Sequence, residues 1–364
     1  MGTDRKTKVY LDLSHLGRHV TGIERIAIEQ FEKAAFEGAD VIAVRANGLI
    51  SMLFKQQIVL PLLALRHRNA RFAFPGFPPS PLFSLCRERA VLYVHDTFLI
   101  MRPGDLSLKA RLYMAPAFKI ALRHLKYFLV NSEKTSADLA RHTRVDASIR
   151  LYRPGVANVF GLQAEGRQSR GDASRPLKLV ALGTVEPRKN YPAALAILDG
   201  IRAAHDSAAE LHIIGRAGWD TDGQRITAHA GVTVHGYLPA DDVRRIMDEA
   251  DVYLCTSHDE GLGLPLLEAQ FAGLAVAAPG QAVFREVLAA SGTFFDPADP
   301  GAAAKAIADL VSQSGWRARA ARAALANVAR WNGLAAKDLA SVRTIFSGPD
   351  LAVAPTSLPS ARAS

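Results

Sequence analysis

Two patterns of apolar and polar positions alternate along this chain: short runs of consecutive apolar residues, and longer stretches with helical spacing. Short apolar runs are typical of strands buried on both faces of a parallel sheet. In the first part of the chain they predict strands at residues 9–13, 41–44, 91–94, 127–130 and 149–152. In the second part they predict strands at 177–182, 210–214, 232–234, 252–254, 275–278 and 293–295. The predicted class is α/β, with two doubly wound sheets.

Composition supports two domains joined by a linker. The chain has 364 residues, of which 49% are hydrophobic, and this is enough for two ordinary cores. Residues 161–176 are polar, contain glycine and have almost no large apolar side chain, so they are the best linker candidate. We therefore expect domains at 1–165 and 166–330. Residues 348–364 are rich in Pro, Ala and Ser, which predicts a disordered tail.

One segment, 260–268 (EGLGLPLLE), places two carboxylates eight positions apart across a loop and a helix start. It follows the predicted strand 252–254, and ligands of open parallel sheets collect at the carboxyl ends of strands. Gly261 and Gly263 allow the backbone to approach a phosphate, and Pro265 suits the start of a helix. Glu268 would then lie about one turn into the helix. The alternative is that Glu268 only complements the helix dipole and Glu260 is a solvated loop residue.

A second loop, 183–190 (GTVEPRKN), carries two cations directly after the strand 177–182. Arg188 and Lys189 could hold a diphosphate, and cations there favour a transition state in which negative charge grows on the leaving diphosphate. The alternative is structural: one of the two forms a salt bridge, for example with Glu186.

These segments resemble the retaining GT-B glycosyltransferases of family 4, also called group 1. Segment 260–268 looks like the E-x7-E motif of that family, and 183–190 resembles its phosphate-binding stretch. Segments 10–25, 94–96, 130–132, 211–219 and 234–238 resemble other parts of it, so that the similarity covers about residues 8 to 346. The resemblance implies two Rossmann-like domains that face a cleft, an acceptor domain first and a nucleotide-sugar domain second. It also implies a final helix, 331–347, that crosses back to the first domain.

The resemblance further implies roles for single residues. Glu260 would bind donor-sugar hydroxyls and Glu268 the ribose, while His95 would reach the nascent charge at the anomeric carbon. The other donor-site residues would be Gly22, Thr184, Arg188, Lys189, Gly261, Leu262 and Gly263. Asp96 would orient His95 or meet the acceptor. Many family members carry an arginine where Thr184 stands, so Arg188 would have to supply the second cation. A His-Asp pair at a strand end is, alternatively, a turn cap.

The expected reaction is a metal-independent, retaining hexosyl transfer from a nucleotide sugar. The 186–190 form (EPRKN) resembles mannosyltransferase members, which favours a GDP-linked hexose such as mannose over a UDP-sugar. No Asp-x-Asp pair stands out as a metal site, and no metal or other cofactor is expected. A GT-B-fold sugar-nucleotide epimerase and a noncatalytic nucleotide-binding paralogue stay open as alternatives.

Charge is divided unevenly between the two halves. Residues 1–150 hold 23 Lys and Arg against 13 Asp and Glu, whereas the rest of the chain is almost neutral. A basic acceptor domain suits an anionic acceptor or an anionic membrane face. Apolar runs at 49–54 and 58–65, followed by Arg66 and Arg68, could lie on a lipid surface and hold a lipid diphosphate. The alternative is a core helix followed by a proline-rich loop whose aromatic residues are buried.

Other partners and compartments are less well supported. The run 58–65 is far shorter than a membrane span, and residues 1–8 lack a signal-peptide core. Cys86 and Cys255 form no disulfide framework, which suits a cytoplasmic protein, peripheral at most on the inner face of the membrane. Arginines at 317–330 predict a solvated helical face rather than a nucleic-acid site. The expected acceptor is a saccharide, lipid-linked, in bacterial surface polysaccharide synthesis.

Overall fold

The computed structural model describes residues 6–16, 22–33, 36–106, 110–165, 175–205, 208–216 and 223–346. The chain divides into two compact units. Unit 1 comprises Met1–Pro154 and Leu334–Ser364, and unit 2 comprises Gly155–Gly333. The boundary between them falls at Pro154, ahead of the linker expected at 161–176, of which 166–174 lies outside the described residues. The tail expected at 348–364 also lies outside them.

Unit 1 is built on a six-stranded parallel sheet of order β2-β1-β3-β4-β5-β6. Its strands are β1 (Thr7–Leu13), β2 (Ala39–Arg45), β3 (Arg71–Phe74), β4 (Ala90–Val94), β5 (Tyr127–Val130) and β6 (Ser148–Leu151). Its helices are α1 (Gly22–Ala27), α2 (Leu49–Phe54), α3 (Leu60–Arg66), α4 (Phe98–Met101), α5 (Ala115–His124) and α6 (Glu133–Ala140). Five of the six strands coincide with predicted apolar runs.

The sixth strand, β3, was not predicted, and it changes the interpretation of the aromatic residues around it. Its backbone pairs with β1 on one side and β4 on the other, in the middle of the sheet. Phe72 and Phe74 on β3, and Phe83 beyond it, are fully buried and pack against one another. The aromatic residues are therefore buried, as the alternative interpretation of this region expected, and they form part of the core of unit 1.

Helices α2 and α3 are joined by the π-helical turn Lys55–Val59, so that Leu49–Arg66 is one continuous helix of 18 residues. The sequence suggested two separate apolar runs here. Among the described residues this is the one helix long and apolar enough to cross a membrane, by length and composition only. Leu60 and Ala64 on its inner face pack in the core of unit 1.

Unit 2 has a second six-stranded parallel sheet, of order β12-β11-β10-β7-β8-β9. Its strands are β7 (Leu177–Leu182), β8 (Ala209–Ile214), β9 (Val232–Gly236), β10 (Val252–Leu254), β11 (Ala275–Pro279) and β12 (Gly292–Phe295). Its helices are α7 (Tyr191–His205), α8 (Gly223–Ala228), α9 (Ala240–Glu249), α10 (Leu264–Gln270), α11 (Ala282–Leu288), α12 (Pro300–Ser312) and the first part of α13 (Trp316–Val342). All six strands agree with the predicted runs to within two residues.

Arg319 and Arg322 of α13 are exposed, as the sequence predicted for a solvated face, whereas Arg317 and Arg330 are bound to the body of unit 2. Arg317 binds the buried carboxylate of Asp251 at 2.9 Å, next to Arg175 on the same carboxylate at 2.6 Å. Arg330 donates hydrogen bonds to the backbone oxygens of residues 286 and 287. At least these two arginines therefore fix α13 to the body of unit 2.

Residues after Gly333 contribute to unit 1 although they come last in the described chain. Asp338 binds the buried guanidinium of Arg153 at 3.0 Å. Phe346 is fully buried, edge-on to Phe36 with ring centroids 5.0 Å apart. The first unit is therefore assembled from two separate parts of the chain.

Candidate active site

The carboxyl ends of neighbouring strands bring the two predicted loops of unit 2 together. Strand β7 pairs with β10 on one side and with β8 on the other. The loop after β7, residues 183–190, therefore lies beside the loop after β10, residues 255–263, although some 70 positions separate them in the chain. This edge is where ligands bind in open parallel sheets.

Glu260 is the centre of this edge, bound by both cations of the other loop. Its Oε1 lies 2.7 Å from Nζ of Lys189, and its Oε2 lies 2.7 Å from an Nη of Arg188. The second Nη of Arg188 lies 2.6 Å from the carboxylate of Glu186. The salt bridge to Glu186 that the sequence analysis gave as an alternative is thus present. Arg188 forms it together with its ion pair to Glu260.

The charge state of Glu260 follows from these contacts. The residue is only 8% exposed, and burial alone would raise its pKa. The positive charges of Lys189 and Arg188, with hydrogen bonds from Lys189 and Ser257, instead lower the pKa of Glu260 to about 2. The carboxylate is therefore ionised at neutral pH, where it is an acceptor of hydrogen bonds and not a proton donor.

Three hydroxyl groups that the sequence analysis did not assign hold this network in place. Ser257 donates to Oε1 of Glu260 at 2.8 Å, and Thr256 donates to the backbone oxygen of Lys189 at 2.9 Å. Tyr191 donates to the backbone oxygen of Gly183 at 2.9 Å. Thr256 and Ser257 lie in the loop after β10, and Tyr191 opens α7.

Two glycines are required by the backbone at this edge. Gly183 has φ +148°, and a Cβ there would lie 2.7 Å from Cε of Lys189, so a side chain would displace the cation. Gly263 adopts the left-handed conformation with φ +86° immediately before α10, where a Cβ would lie 2.7 Å from Leu266. A larger residue at either position would be strained.

The remaining predicted donor residues of unit 2 lie nearby but differ in what they expose. Glu268 is buried within α10, one turn from its start, as the Pro265 signal indicated. The side chain of Leu262 packs in the hydrophobic core, so it can offer a ligand only its backbone. Gly261 is buried in the same loop, and Thr184 is partly exposed just after β7.

In unit 1 the structure places His95 and Asp96 directly after β4. Nε2 of His95 lies 2.6 Å from the backbone oxygen of Pro75, and burial lowers the pKa of His95 to about 4, against a smaller rise from this contact. The imidazole is therefore neutral at pH 7. Asp96 accepts a hydrogen bond from the backbone N–H of Phe98 at 2.9 Å and so caps α4. The capping alternative is present here.

A histidine that the sequence analysis overlooked, His15, lies at the same edge, after β1. Its ring stacks on Phe77 and covers Gly76, where a Cβ would lie 2.2 Å from Nε2. Both ring nitrogens are buried, without a hydrogen-bond partner among the residues that the structure describes. Burial lowers the pKa of His15, partly opposed by Asp12 and Glu24. Its place two residues beyond the predicted strand was the available signal.

The other predicted residues of unit 1 are Gly22, Arg66 and Arg68. Gly22 is exposed at the start of α1, in the described part of the loop. Arg66 and Arg68 precede β3, and the guanidinium of Arg89, just before β4, donates to the backbone oxygen of Arg68 at 3.1 Å. They therefore lie at the amino-terminal edge of the parallel sheet, opposite the edge that carries His95 and Asp96.

Comparisons with known proteins agree with this architecture. Residues 163–327 match the family of glycosyl transferases group 1. The O-antigen chain mannosyltransferase B of Escherichia coli is 28% identical over 156 residues, which are 42% of this chain and 41% of that protein. The chain spans less than two thirds of the length of the curated relatives it matches.

Solved structures extend the likeness to both units. WaaG, a glycosyltransferase involved in lipopolysaccharide biosynthesis, superposes with a TM-score of 0.63 at 16% identity, over 93% of this chain and all of that one. Anabaena Alr3699/HepE, solved with UDP and glucose, gives 0.64 at 16% identity, over 92% of this chain and all of that one. The GT-B fold expected from the sequence is confirmed.

The family match and the site fall on the same part of the chain. Segment 163–327 lies within unit 2 and contains Arg188, Lys189 and Glu260, with both loops that the E-x7-E and phosphate-binding resemblances named. The sequence-based family prediction is therefore confirmed. The part of the chain that matches the group 1 glycosyltransferases is thus the unit that carries the Glu260 site.

Proposed function

We propose that this protein transfers a hexosyl group, mannose in the first instance, from a nucleoside-diphosphate sugar to a saccharide acceptor, with retention of anomeric configuration. One observation carries the proposal: Arg188, Lys189 and the ionised Glu260 meet at the carboxyl ends of β7 and β10. Two cations next to a hydroxyl-accepting carboxylate match a ligand that joins a diphosphate to a sugar.

Arg188 and Lys189 act on the diphosphate. The guanidinium offers a planar fork for phosphate oxygens, and the ammonium acts as a point charge beside it. Negative charge grows on the diphosphate as its bond to the sugar breaks, so both cations stabilise the transition state more than the ground state. They supply positive charge that a metal ion would otherwise supply, which supports a metal-independent reaction. Glu186 keeps the guanidinium oriented at 2.6 Å.

Glu260 acts on the sugar. Its pKa of about 2 suits a hydrogen-bond acceptor for donor-sugar hydroxyls and does not suit a general acid. The acceptor hydroxyl adds to the anomeric carbon on the face from which the diphosphate leaves. The bond from that carbon to the phosphate oxygen breaks, the bond to the acceptor oxygen forms, and the acceptor proton passes to the leaving phosphate. No protein base is needed. His95, neutral at pH 7, is proposed to contact the sugar without adding positive charge.

The choice of substrates rests on the relatives. Two that match this chain at 28–29% identity, over 36–42% of its length, are named as mannosyltransferases, which supports a GDP-linked mannose donor. Alr3699/HepE is solved with UDP-glucose, which keeps a UDP-sugar as the second choice. WaaG and the O-antigen enzyme support a lipid-linked saccharide of the bacterial surface as acceptor.

A two-stage experiment tests the proposal. First, GDP, UDP and ADP are screened by thermal shift, since a ligand at a hundred times its dissociation constant stabilises the protein by about 2.7 kcal/mol. Then the matching nucleotide sugars are incubated with saccharide acceptors, with and without EDTA, and the anomeric proton of the product is assigned by NMR. Transfer with retention, unaffected by EDTA, is the expected result.

Three outcomes count against the proposal. Conversion of the nucleotide sugar with no acceptor present would indicate an epimerase. Nucleotide binding without transfer or hydrolysis across the panel would indicate a noncatalytic protein. Undiminished transfer by Glu260→Gln would show that the site is misplaced. Glu249→Gln is the matched control, because that carboxylate also binds a lysine at 2.9 Å but is half exposed and lies outside the site.

A further inference from the structure

The helix Leu49–Arg66 exposes apolar side chains where a helix on a soluble protein carries polar ones. One stripe along its outer face consists of Ile50 (85% exposed), Phe54 (57%), Ile58 (46%), Leu62 (57%) and Leu65 (66%). The spacing of four, four, four and three residues keeps these side chains on one face over about 22 Å of helix. A contiguous exposed apolar surface of this kind marks an interaction site.

The inner face of the same helix is fixed to unit 1. Met52, Leu60 and Ala64 are buried, and the buried Gln56 donates a hydrogen bond to the carboxylate of Asp12 at 3.1 Å. Only 28% of the 18 residues are buried, all on this side. The helix therefore lies flat on its unit, and crossing a membrane would require it to leave the core.

Charge along the chain segment that carries the stripe is of one sign. No Asp or Glu occurs at residues 41–87, whereas six Lys and Arg lie at positions 45–87. Arg66 and Arg68 are exposed at the end of the helix next to Leu65. The guanidinium of Arg89 binds the backbone oxygens of residues 64, 67 and 68, which fixes the turn that presents them. The surface is thus apolar along its length and basic at one end.

An aromatic side chain lies at the edge of the stripe. Tyr113 is 37% exposed, and its hydroxyl lies 3.1 Å from both Gln56 and Gln57 in the middle of the helix. A tyrosine with a buried hydroxyl partner and an exposed ring suits the boundary between lipid headgroups and acyl chains.

We propose that this face of unit 1 docks onto an anionic lipid bilayer, with the stripe inserted at the level of the acyl chains and Arg66 and Arg68 on the headgroups. In self-association through the same face, residues 41–87 of the second copy would offer these arginines no acidic partner, because they contain none. Anionic headgroups supply the missing negative charge. The proposal assigns Arg66 and Arg68 to lipid, since they lie at the sheet edge opposite His95.

Vesicle co-sedimentation tests the proposal with the full chain and needs neither donor nor acceptor, so its result is independent of the proposed reaction. Vesicles of phosphatidylcholine with about 30% phosphatidylglycerol are compared with pure phosphatidylcholine. The triple variant Phe54→Gln, Ile58→Gln, Leu62→Gln should bind the anionic vesicles at least about tenfold more weakly than wild type. Arg66→Gln and Arg68→Gln should each cost about fivefold on anionic vesicles, and little on neutral ones.

The control variant carries three glutamines at exposed apolar positions outside the stripe, Val145, Val159 and Leu325, and it should bind like wild type. Circular dichroism checks that all variants are folded. Equal binding by the stripe variant and the control would overturn the proposal. So would a wild-type protein that binds neither vesicle, or a stripe variant whose oligomeric state changes in light scattering while its vesicle binding does not.

Discussion

Replacing Glu260 with glutamine should destabilise unit 2 by an amount set by the ion pairs of that carboxylate. Glutamine keeps the size of the side chain but removes the charge that Lys189 and Arg188 bind at 2.7 Å. Lowering the pKa of Glu260 from 4.5 to about 2 corresponds to about 3 kcal/mol of stabilisation of the folded state at pH 7. This agrees with a cost of roughly 3–5 kcal/mol for removing one partner of a buried pair.

The lowered pKa of Glu260 also determines how the destabilisation by Glu260→Gln depends on pH. A carboxyl group whose pKa is lower in the folded state stabilises the protein fully above its unfolded pKa, and loses that effect as the pH falls towards its folded pKa. The window therefore runs from about pH 4.5 down to about pH 2. The difference between wild type and Glu260→Gln should shrink from about 3 kcal/mol at pH 7 to roughly 2 kcal/mol at pH 3.5.

Urea unfolding followed by tryptophan fluorescence measures this difference in the free energy of unfolding, and the signal comes from unit 2. All three tryptophans of the chain lie at positions 219, 316 and 331, within unit 2, and Trp316 and Trp331 are buried. Glu249→Gln, which removes a half-exposed carboxylate from Lys178, should cost less than about 1 kcal/mol. If Glu260→Gln costs no more than this control at pH 7, or if its cost does not change with pH, the reasoning is refuted.

Further predictions concern the same two edges. Lys189→Met should weaken nucleoside-diphosphate binding in calorimetry about tenfold or more, whereas Lys178→Met, outside the site, should leave it unchanged. Gly183→Ala should lower the stability of unit 2 by about 1–3 kcal/mol and weaken nucleotide binding too, because its Cβ would meet Lys189; full nucleotide affinity would contradict this. The pKa of His95 near 4 should keep its imidazole neutral, so NMR should show no titration of this ring between pH 5.5 and 8. The unfolded state binds a proton at His95 more readily than the folded state does. The free energy of unfolding should therefore decrease as the pH falls from 6.5 towards 4.

The sequence was sufficient for the strands that are buried on both faces, because these are continuous apolar runs. It was insufficient for β3, where Arg71 opens the strand and Pro75 closes it, so that four residues among prolines resembled a loop. Arg71 nevertheless lies buried in the middle of the sheet. The long helix of unit 1 was divided in the prediction by Lys55, Gln56 and Gln57, and only packing shows that Gln56 points inwards to Asp12.

For the candidate site, the sequence was sufficient to predict which loops lie next to each other. Parallel strands place their carboxyl ends together, so loops 183–190 and 255–263 could be paired from order and motif. The partners of each charge could not, since Arg188 had carboxylates available in both loops and binds one from each. Ser257 and Thr256 were also beyond reach, because a hydroxyl after a strand has no pattern that distinguishes a network member from a solvated residue.

The division of unit 1 between two parts of the chain has a consequence for biosynthesis. A ribosome completes residues 155–333 before it supplies Asp338 to Arg153 and Phe346 to Phe36. The second unit can therefore close cotranslationally, while the first waits for its last helix with part of its core exposed. The N-terminal unit is thus the later one to be completed, because its last residues leave the ribosome after all of unit 2.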